Sequence, residues 1–486
     1  MTYAVQRKEG RLKMTKLKSR KNIDMTEGPI LKNIILFAMP LIVTNLLQVL
    51  YTASDTMVVS LSGEQDAVGA IGTTTAMINL IVNVFIGCSV GAKVAAARSM
   101  GARDDKQTEN IVHTAITLGI IFGLVCAAIG VFVARPVLSA MGNEGKLLEL
   151  AVRYTKIYFL GVPFISVTNF AMAIIHAGGD TKTPLYILTF TGFLNVALNL
   201  FFVLVCKFDV GGMAAATGIS NVVSAVFFVV ILMRRSDSCS LSLKKLRIEK
   251  EALLSILHIG LPAGFQSALF SFSHMVIQSS IVSVNNAVAP AGSAFAPVVK
   301  GNSAATSVES FGYTVINAVA QAAISFTGQN AGAGKYDRVK KIYRACYAAS
   351  FCLAVIFAVV MLALRVPMLS LYGVARGEAG SLEEIAYETA VTRMLCMFIP
   401  YFLLGFMEVG SGVMQGLGRS ITSTAVSLTG SVAFRILWIM IAFRAYPNIV
   451  IAFLSYPISW LLTAAAHYVC VRIVLGRLNS AKRAKI

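Results

Sequence analysis

The chain has 486 residues, of which 56% are hydrophobic and only 13% charged, about half the charged fraction of a soluble domain. This excludes an ordinary soluble enzyme and indicates a polytopic membrane protein. The formal charge of +19 would suit a nucleic-acid binder, but the basic residues gather at helix ends on one side, so no nucleic-acid partner is expected.

The segment Met1–Lys21 carries eight Lys and Arg but no apolar core of the length a signal peptide needs. It reads as the disordered part of a basic arm, residues 1–27, that orients the protein and attracts anionic lipid. The first apolar stretch, Phe37 to Leu61, is long enough to span a bilayer and places one carboxylate, Asp55, inside it. A charge at the centre of a spanning helix costs roughly 2.5–3.5 kcal/mol on insertion scales, so such residues usually line a water-filled path for ions or protons. Asp55 is therefore the leading candidate for a coupling site. The competing reading is a helix-end residue that caps or hydrogen-bonds near the outer surface. Pro40, towards the other end of the stretch, is a candidate hinge because it removes a backbone donor.

Breaks in hydropathy divide the chain into twelve predicted spans: 33–61, 67–95, 111–134, 154–176, 184–206, 213–233, 256–284, 303–328, 344–364, 391–415, 421–443 and 449–472. The even number puts both termini on one side. Of the 42 Lys and Arg, 31 fall on that side, 10 on the other, and Arg435 lies within a span. The positive-inside rule then makes both termini cytoplasmic, in a multi-pass protein of the inner or plasma membrane. Eight cysteines without a CxxC pair, and five histidines without ligand spacing, suggest buried thiols rather than disulfides or metal sites.

The loop near 234–255 is the longest on the inner side, with six spans before it and six after. The predicted organisation is a first bundle over 28–236, a linker over 237–255, a second bundle over 256–475 and a basic tail over 476–486. The halves echo each other. LFAMPLIVTNLL (36–47) parallels HIGLPAGFQSAL (258–269), and Gly-Ala-Arg-Asp-Asp-Lys (101–106) parallels Gly-Ala-Gly-Lys-Tyr-Asp-Arg (332–338). LGVPFISVTNF (160–170) parallels MFIPYFLLGF (397–406), and HAGGDTKTP (176–184) parallels QGLGRSITS (415–423). Pro40 thus pairs with Pro262 and Pro163 with Pro400, giving four hinge candidates. Six-helix repeats keep the same topology, so their axis should run along the membrane normal, with the substrate site between halves that rock against each other.

These stretches resemble the multidrug and toxic compound extrusion (MATE) family of cation-coupled exporters. The resemblance rests on AMPLIVTNLLQVLYTASDTMVV, Gly-Gly-Asp-Thr-Lys-Thr-Pro (178–184), Gly-Gly-Met-Ala-Ala-Ala-Thr (211–217) and Phe-Thr-Gly-Gln-Asn-Ala-Gly-Ala-Gly-Lys (326–335), and it spans about Gly28 to Leu475. It implies an all-α fold of two pseudo-symmetric six-helix bundles around a central cavity. It also implies that Asp55 binds the coupling ion, H+ or Na+, with Asn195, Asn199 and Thr217 around it. Where family members with a sodium site carry a second Asp, this chain has Asn199. One negative charge is lost, which favours a proton over a hard cation. Independently of the resemblance, Asn195 and Asn199 share one helical face and would suit ordinary interhelical hydrogen bonds.

Two further acids lie inside the predicted spans, Glu309 and Glu408. Glu408, on the helix corresponding to the one with Asn169, would attract an organic cation, or else pack protonated against a neighbour. Glu309 is a second substrate-cavity candidate, placed toward the mouth. Arg435, read as the only base well within a span, is a candidate counter-ion to one of these acids. Phe265, Phe270, Phe272, Met275, Gln278 and Tyr313 would offer aromatic and thioether contacts to flat cations, although most such side chains in a membrane bundle simply pack. No nucleotide motif is complete, so neither an ATPase subunit nor a cofactor beyond the coupling ion is expected. The whole reads as a monomeric antiporter, not an enzyme, whose partners are organic cations and membrane lipid. A flippase for a lipid-linked saccharide is the alternative. It would be expected to line its cavity with several Arg or Lys.

Overall fold

The computed structural model describes residues 23–61, 65–140, 144–208, 210–289 and 295–483. The side chains of 52–61, Asp55 among them, and of most of 65–81 also lie outside the described residues. The first half of the chain contributes α1 (Ile30–Leu61), α2 (Gln65–Gly101), α3 (Asp105–Ala140), α4 (Gly145–Ala177), α5 (Lys182–Leu200) and α6 (Val210–Met233). The second contributes α7 (Lys250–Val288), α8 (Pro297–Gly332), α9 (Tyr336–Ala363), α10 (Leu382–Phe398), α11 (Tyr401–Gly416), α12 (Ser420–Phe443) and α13 (Ile449–Arg483).

Every predicted span falls on helix for nearly all of its length. Among the described residues nine helices are long and apolar enough to cross a membrane, and α10 with α11, bent by 50°, makes a tenth. The remaining two, α2 and α8, have 37 and 36 residues but are not among these, so length and hydropathy alone do not reach twelve. The helices also outrun their apolar stretches: α3 was predicted over 111–134 and spans 105–140, and α13 continues to Arg483, through most of the segment predicted as a tail. Polar residues at these ends continue the hydrogen-bonded ladder into water at little cost.

Three of the four prolines sit inside continuous helix: Pro40 in α1, Pro163 in α4 and Pro262 in α7. The fourth differs. The chain leaves α10 at Phe398 and restarts at Tyr401, so Pro400 marks the 50° bend while its twin Pro163 does not. Wider π-type turns lengthen the fifth and eleventh spans in parallel, over Phe201–Val205 after α5 and over Leu428–Ala433 and Ile439–Phe443 within α12.

The sequence echoes recur as backbone geometry. Gly179 and Gly418 occupy matching repeat positions, and both are left-handed, with φ of 87° and 74°. Each donates to the carbonyl three residues back, and the following residue donates to the one five back, closing α4 and α11 alike. Asp180 then caps α5, accepting from Thr183 N at 3.0 Å and Thr183 Oγ1 at 2.7 Å.

The halves meet along α2 with α7 and α1 with α8. Gly87 and Gly91 of α2 interdigitate with Gly264 and Gly260 of α7 in antiparallel order, where any Cβ would strike the partner's backbone. Towards the end where α1 begins, hereafter the basic end, polar links accumulate. Asn45 Nδ2 donates to Thr314 O at 3.3 Å and Lys93 Nζ to Gln321 Oε1. Gln329 Nε2 donates to Ala177 O at 2.6 Å and Asn330 Nδ2 to Met25 O at 2.9 Å. The linker is fastened to α3 of the first half: Ser242 N donates to His113 Nε2, Lys245 pairs with Glu109 at 2.9 Å, and Glu249 N donates to Thr114 Oγ1.

Candidate functional site

In the first half, α5 and α6 bring three of the predicted ion-coupling residues into one chain of hydrogen bonds. Asn199 Nδ2 donates to Asn195 Oδ1 at 3.2 Å, and Asn195 Nδ2 donates to Thr217 Oγ1 at 3.3 Å. Asn199 is fully buried and Asn195 nearly so. Helix α1 docks on α5 through Tyr51, whose hydroxyl donates to Thr189 O at 3.2 Å and whose ring rests where Gly192 lacks a Cβ. Asp55 lies one turn further along α1, and its side chain is outside the described residues.

The second half holds Glu309 and Glu408. Two cavities adjoin here, of about 310 Å³ and about 530 Å³. His274, Glu309, Tyr313 and Tyr456 line both. The smaller adds Phe270, Glu408, Arg435 and Trp460, with Asn83 reaching in from the first half, so it lies on the seam. The larger adds Met275, Gln278, Asn302 and Arg393. A third, of about 300 Å³, runs from Tyr313 and Asn317 to Asn45 and Gln48 of α1.

Several sequence expectations change here. Glu309 lines both cavities, as expected of a cavity candidate, and it forms an ion pair with Arg393 at 2.7 Å that the sequence did not show, side chains 15% and 5% exposed. Arg393 also donates to Asn302 Oδ1 at 2.9 Å, and Asn302 Nδ2 reaches Gln278 Oε1 at 3.2 Å. Arg435, the candidate counter-ion, shares the smaller cavity with Glu309 and Glu408 but has no carboxylate within 4.0 Å among the described residues; its Nε donates to Ser459 Oγ at 2.8 Å and its guanidinium lies 4.5 Å from the centre of the Tyr456 ring. Nor is it the sole buried base, since Lys93 and Arg393 are each 4% exposed. Both sit near the ends of their spans, where sequence reading takes a basic residue as a solvated marker of topology. Phe265 and Phe272 are 60% and 53% exposed and line none of the three cavities. Phe270, Met275, Gln278 and Tyr313 do line them.

The missed Arg393 bears on the rival reading. Two guanidiniums border the paired cavities rather than one. Glu309 neutralises Arg393, however, so the site lacks the clustered positive charge that a pyrophosphate group needs.

Comparison with known proteins decides the family. The MatE family model matches residues 40–201 and 262–441, most of both halves. The chain belongs to the MatE family. It is an efflux transporter of the multidrug and toxic compound extrusion type, as the sequence resemblance implied. Among MatE relatives, the multidrug export protein MepA of Staphylococcus aureus is 26% identical over 458 residues, covering 93% of this chain and 96% of that protein. The probable multidrug resistance protein YoeA of Bacillus subtilis is 25% identical over 400 residues, 81% and 82% of the two chains. Among solved structures, an outward-facing MATE family transporter of the MOP superfamily superposes with a TM-score of 0.85 at 21% identity, over 95% of this chain and 99% of that one. A MATE structure in the bent conformation gives a TM-score of 0.83 at 20% identity, over 94% and 98% of the two chains. These structures share the fold, and the MatE assignment explains why the halves repeat.

Proposed function

We propose that this MatE protein is a secondary antiporter that exports amphipathic organic cations in exchange for protons or sodium, by alternating access. The observation that carries the reading is the seam cavity, whose lining brings the Glu408 carboxyl together with the aromatic residues Phe270, Tyr313, Tyr456 and Trp460. A carboxylate attracts the charge of an organic cation, and aromatic faces attract it further at close range. Both named relatives are multidrug proteins, which supports a broad substrate class.

Coupling is assigned to the first half. Asp55 would take the ion, and the Asn199–Asn195–Thr217 chain would offer it neutral oxygens. The contacts between halves at the basic end would break and re-form as the cavity changes its face, with both termini on the cytoplasmic side. Proline positions 40, 163, 262 and 400 are the proposed flexing points. Pro400 has the strongest claim, because the helix is already bent there.

The deciding experiment is transport in proteoliposomes under separately imposed proton and sodium gradients, with Asp55→Asn in parallel. The reading expects organic-cation uptake driven by at least one gradient and lost in the mutant. Full coupled transport by Asp55→Asn would overturn the assignment of Asp55. A response to lipid pyrophosphate alone would favour the flippase.

A further inference from the structure

A short strap before α1, residues 23–28, ties the two halves together at the basic end. Ile23 N donates to Gly179 O at 3.2 Å, on the turn between α4 and α5, and a Cβ on Gly179 would strike the Ile23 carbonyl. The carbonyls from Met25 to Gly28 all accept from side chains of the second half. Met25 O takes Asn330 Nδ2 at 2.9 Å, and Thr26 O takes Lys335 Nζ at 3.1 Å. Glu27 O and Gly28 O share Arg338 Nη2, at 2.7 and 2.9 Å. The Met25 side chain is fully buried, in the cluster that holds Phe37 of α1 and Phe326 of α8. Asp24 shapes the strap as a turn, accepting from Thr26 N at 2.8 Å and Glu27 N at 3.1 Å.

The repeat gives this strap a twin groove. Asn330, Lys335 and Arg338 match Ser99, Asp104 and Gln107, and Gly179 matches Gly418. Among the described residues the twin groove stays open: Ser99, Asp104, Gln107 and Gly418 line a cavity of about 1040 Å³. The linker precedes α7 as the strap precedes α1, but Ser242 and Glu249 fasten it to α3 instead. The same helices therefore pack with their groove open, and filling it is not a requirement of the fold.

We propose that residues 23–28 are a latch: docked, they hold the basic end closed, and the transport cycle undocks them from α8 and α9. The inference rests on the alternating-access reading above and names one element that must move in it. The strap runs directly into α1, which Tyr51 docks on α5 of the first half. When the halves part at this end, the strap cannot keep both neighbours. The contacts with Asn330, Lys335 and Arg338 are the ones that give. Hydrogen bonds at the water boundary are exchanged for bonds to water at small net cost, so such a latch opens reversibly. Burial of Met25 then draws it shut again.

The test is a reversible tether in the full-length protein on a cysteine-free background. Thr26→Cys and Lys335→Cys are joined by a short bis-methanethiosulfonate and released with a reducing agent. Transport of a fluorescent organic cation into proteoliposomes should be nearly lost in the tethered protein and return on reduction. A second measurement does not depend on transport. Met25→Asp would bury a charge, so it should shift the closed-to-open balance by roughly ten-fold or more. The shift is read as a longer distance between spin labels at positions 103 and 341. Met25→Ala should move the distance the same way but less, and melting checks that each variant is folded. Full transport by the tethered protein, no cross-link between the two cysteines, or unchanged distances in both Met25 variants would overturn the latch and leave export standing. No transport of any organic cation by wild type would overturn the export reading instead, and the spin-label distances would then decide the latch by themselves.

Discussion

Gly101 at the end of α2 lies against the carbonyl of Gln329, and the arrangement is reciprocated: Gly332 at the end of α8 lies against the carbonyl of Arg98. The two glycines occupy matching repeat positions, as do Arg98 and Gln329, so the closure at the basic end follows the pseudo-symmetry. A Cβ at either glycine would overlap the partner's backbone, which can yield only by shifting its helix. Gly101→Leu should therefore force the halves apart at this end. Overpacking of this kind costs about 1–3 kcal/mol, enough to shift a two-state balance by roughly five-fold to a hundred-fold. Spin labels at positions 103 and 335 on a cysteine-free background should report a longer distance in the mutant, and transport should fall. An unchanged distance with full transport would show that this contact does not hold the closed state.

The Glu309–Arg393 pair is buried, so removing one member leaves the other charge stranded. Glu309→Gln should destabilise the protein by about 3–5 kcal/mol, read as a large drop in melting temperature in detergent. Glu309→Gln with Arg393→Met should recover much of the loss, because neither position then leaves a charge stranded. If the double variant melts no higher than the single one, the pair is not the source of the effect.

The helical architecture and its duplication are legible in the sequence because apolar length, glycine and proline mark each helix, and the repeats recur in order. What joins the helices is not. Glu309 and Arg393 lie 84 residues apart, and nothing in either local stretch names the other. Hydropathy also misplaces charges that sit at the edge of a span, which is why Lys93 and Arg393 read as markers of topology. Arg435 shows the opposite failure. Sequence logic seeks an acid for a buried base, whereas Ser459 and the Tyr456 ring supply the contacts. A cavity wall depends on which face of a helix turns inward, and Phe265 and Phe270 on the same helix turn out differently.

Asn199 tests the coupling chemistry directly. It is fully buried and donates to Asn195, and the family resemblance implies that sodium-binding members carry a second acid at this position. A hard cation gains from each carboxylate oxygen, so Asn199→Asp should raise sodium affinity if Asp55 shares the site. The expected readout is a sodium-dependent rise in melting temperature that is larger than in wild type and removed by adding Asp55→Asn. A rise independent of Asp55 would place the ion elsewhere.

The linker offers a pH test outside the membrane. Glu249 caps α7, accepting from Ala252 N at 2.7 Å and Glu251 N at 3.1 Å. These bonds, that to Ala252 first, hold its carboxyl below the usual range. A lowered folded value means the ionised form stabilises the fold. The contribution is complete above the ordinary Glu value of about 4.3 and is lost as pH falls through the folded value. The melting difference between wild type and Glu249→Gln should therefore be constant near neutrality and shrink only in acid. A difference that shrinks near neutral pH would assign it to another group.

The ends of α2 and α8 allow one last comparison. Arg103 and Gly334 occupy matching repeat positions and share the left-handed conformation, with φ of 58° and 67°. Each helix closes with the same pair of backbone bonds, Arg103 N to Met100 O and Gly334 N to Ala331 O leading them. An L residue there costs roughly 1–2 kcal/mol in conformation, which the first half accepts and the second avoids. A Cβ on Gly334 would meet nothing within 4 Å, so Gly334→Ala isolates the backbone cost. It should lower stability by about 1 kcal/mol and the melting temperature by about 1–2 °C. Arg103→Gly removes the same strain but loosens the unfolded chain, so its gain should be smaller, a few tenths to about 1 kcal/mol. If Gly334→Ala melts like wild type, the two helix ends do not differ in strain and the glycine serves another purpose.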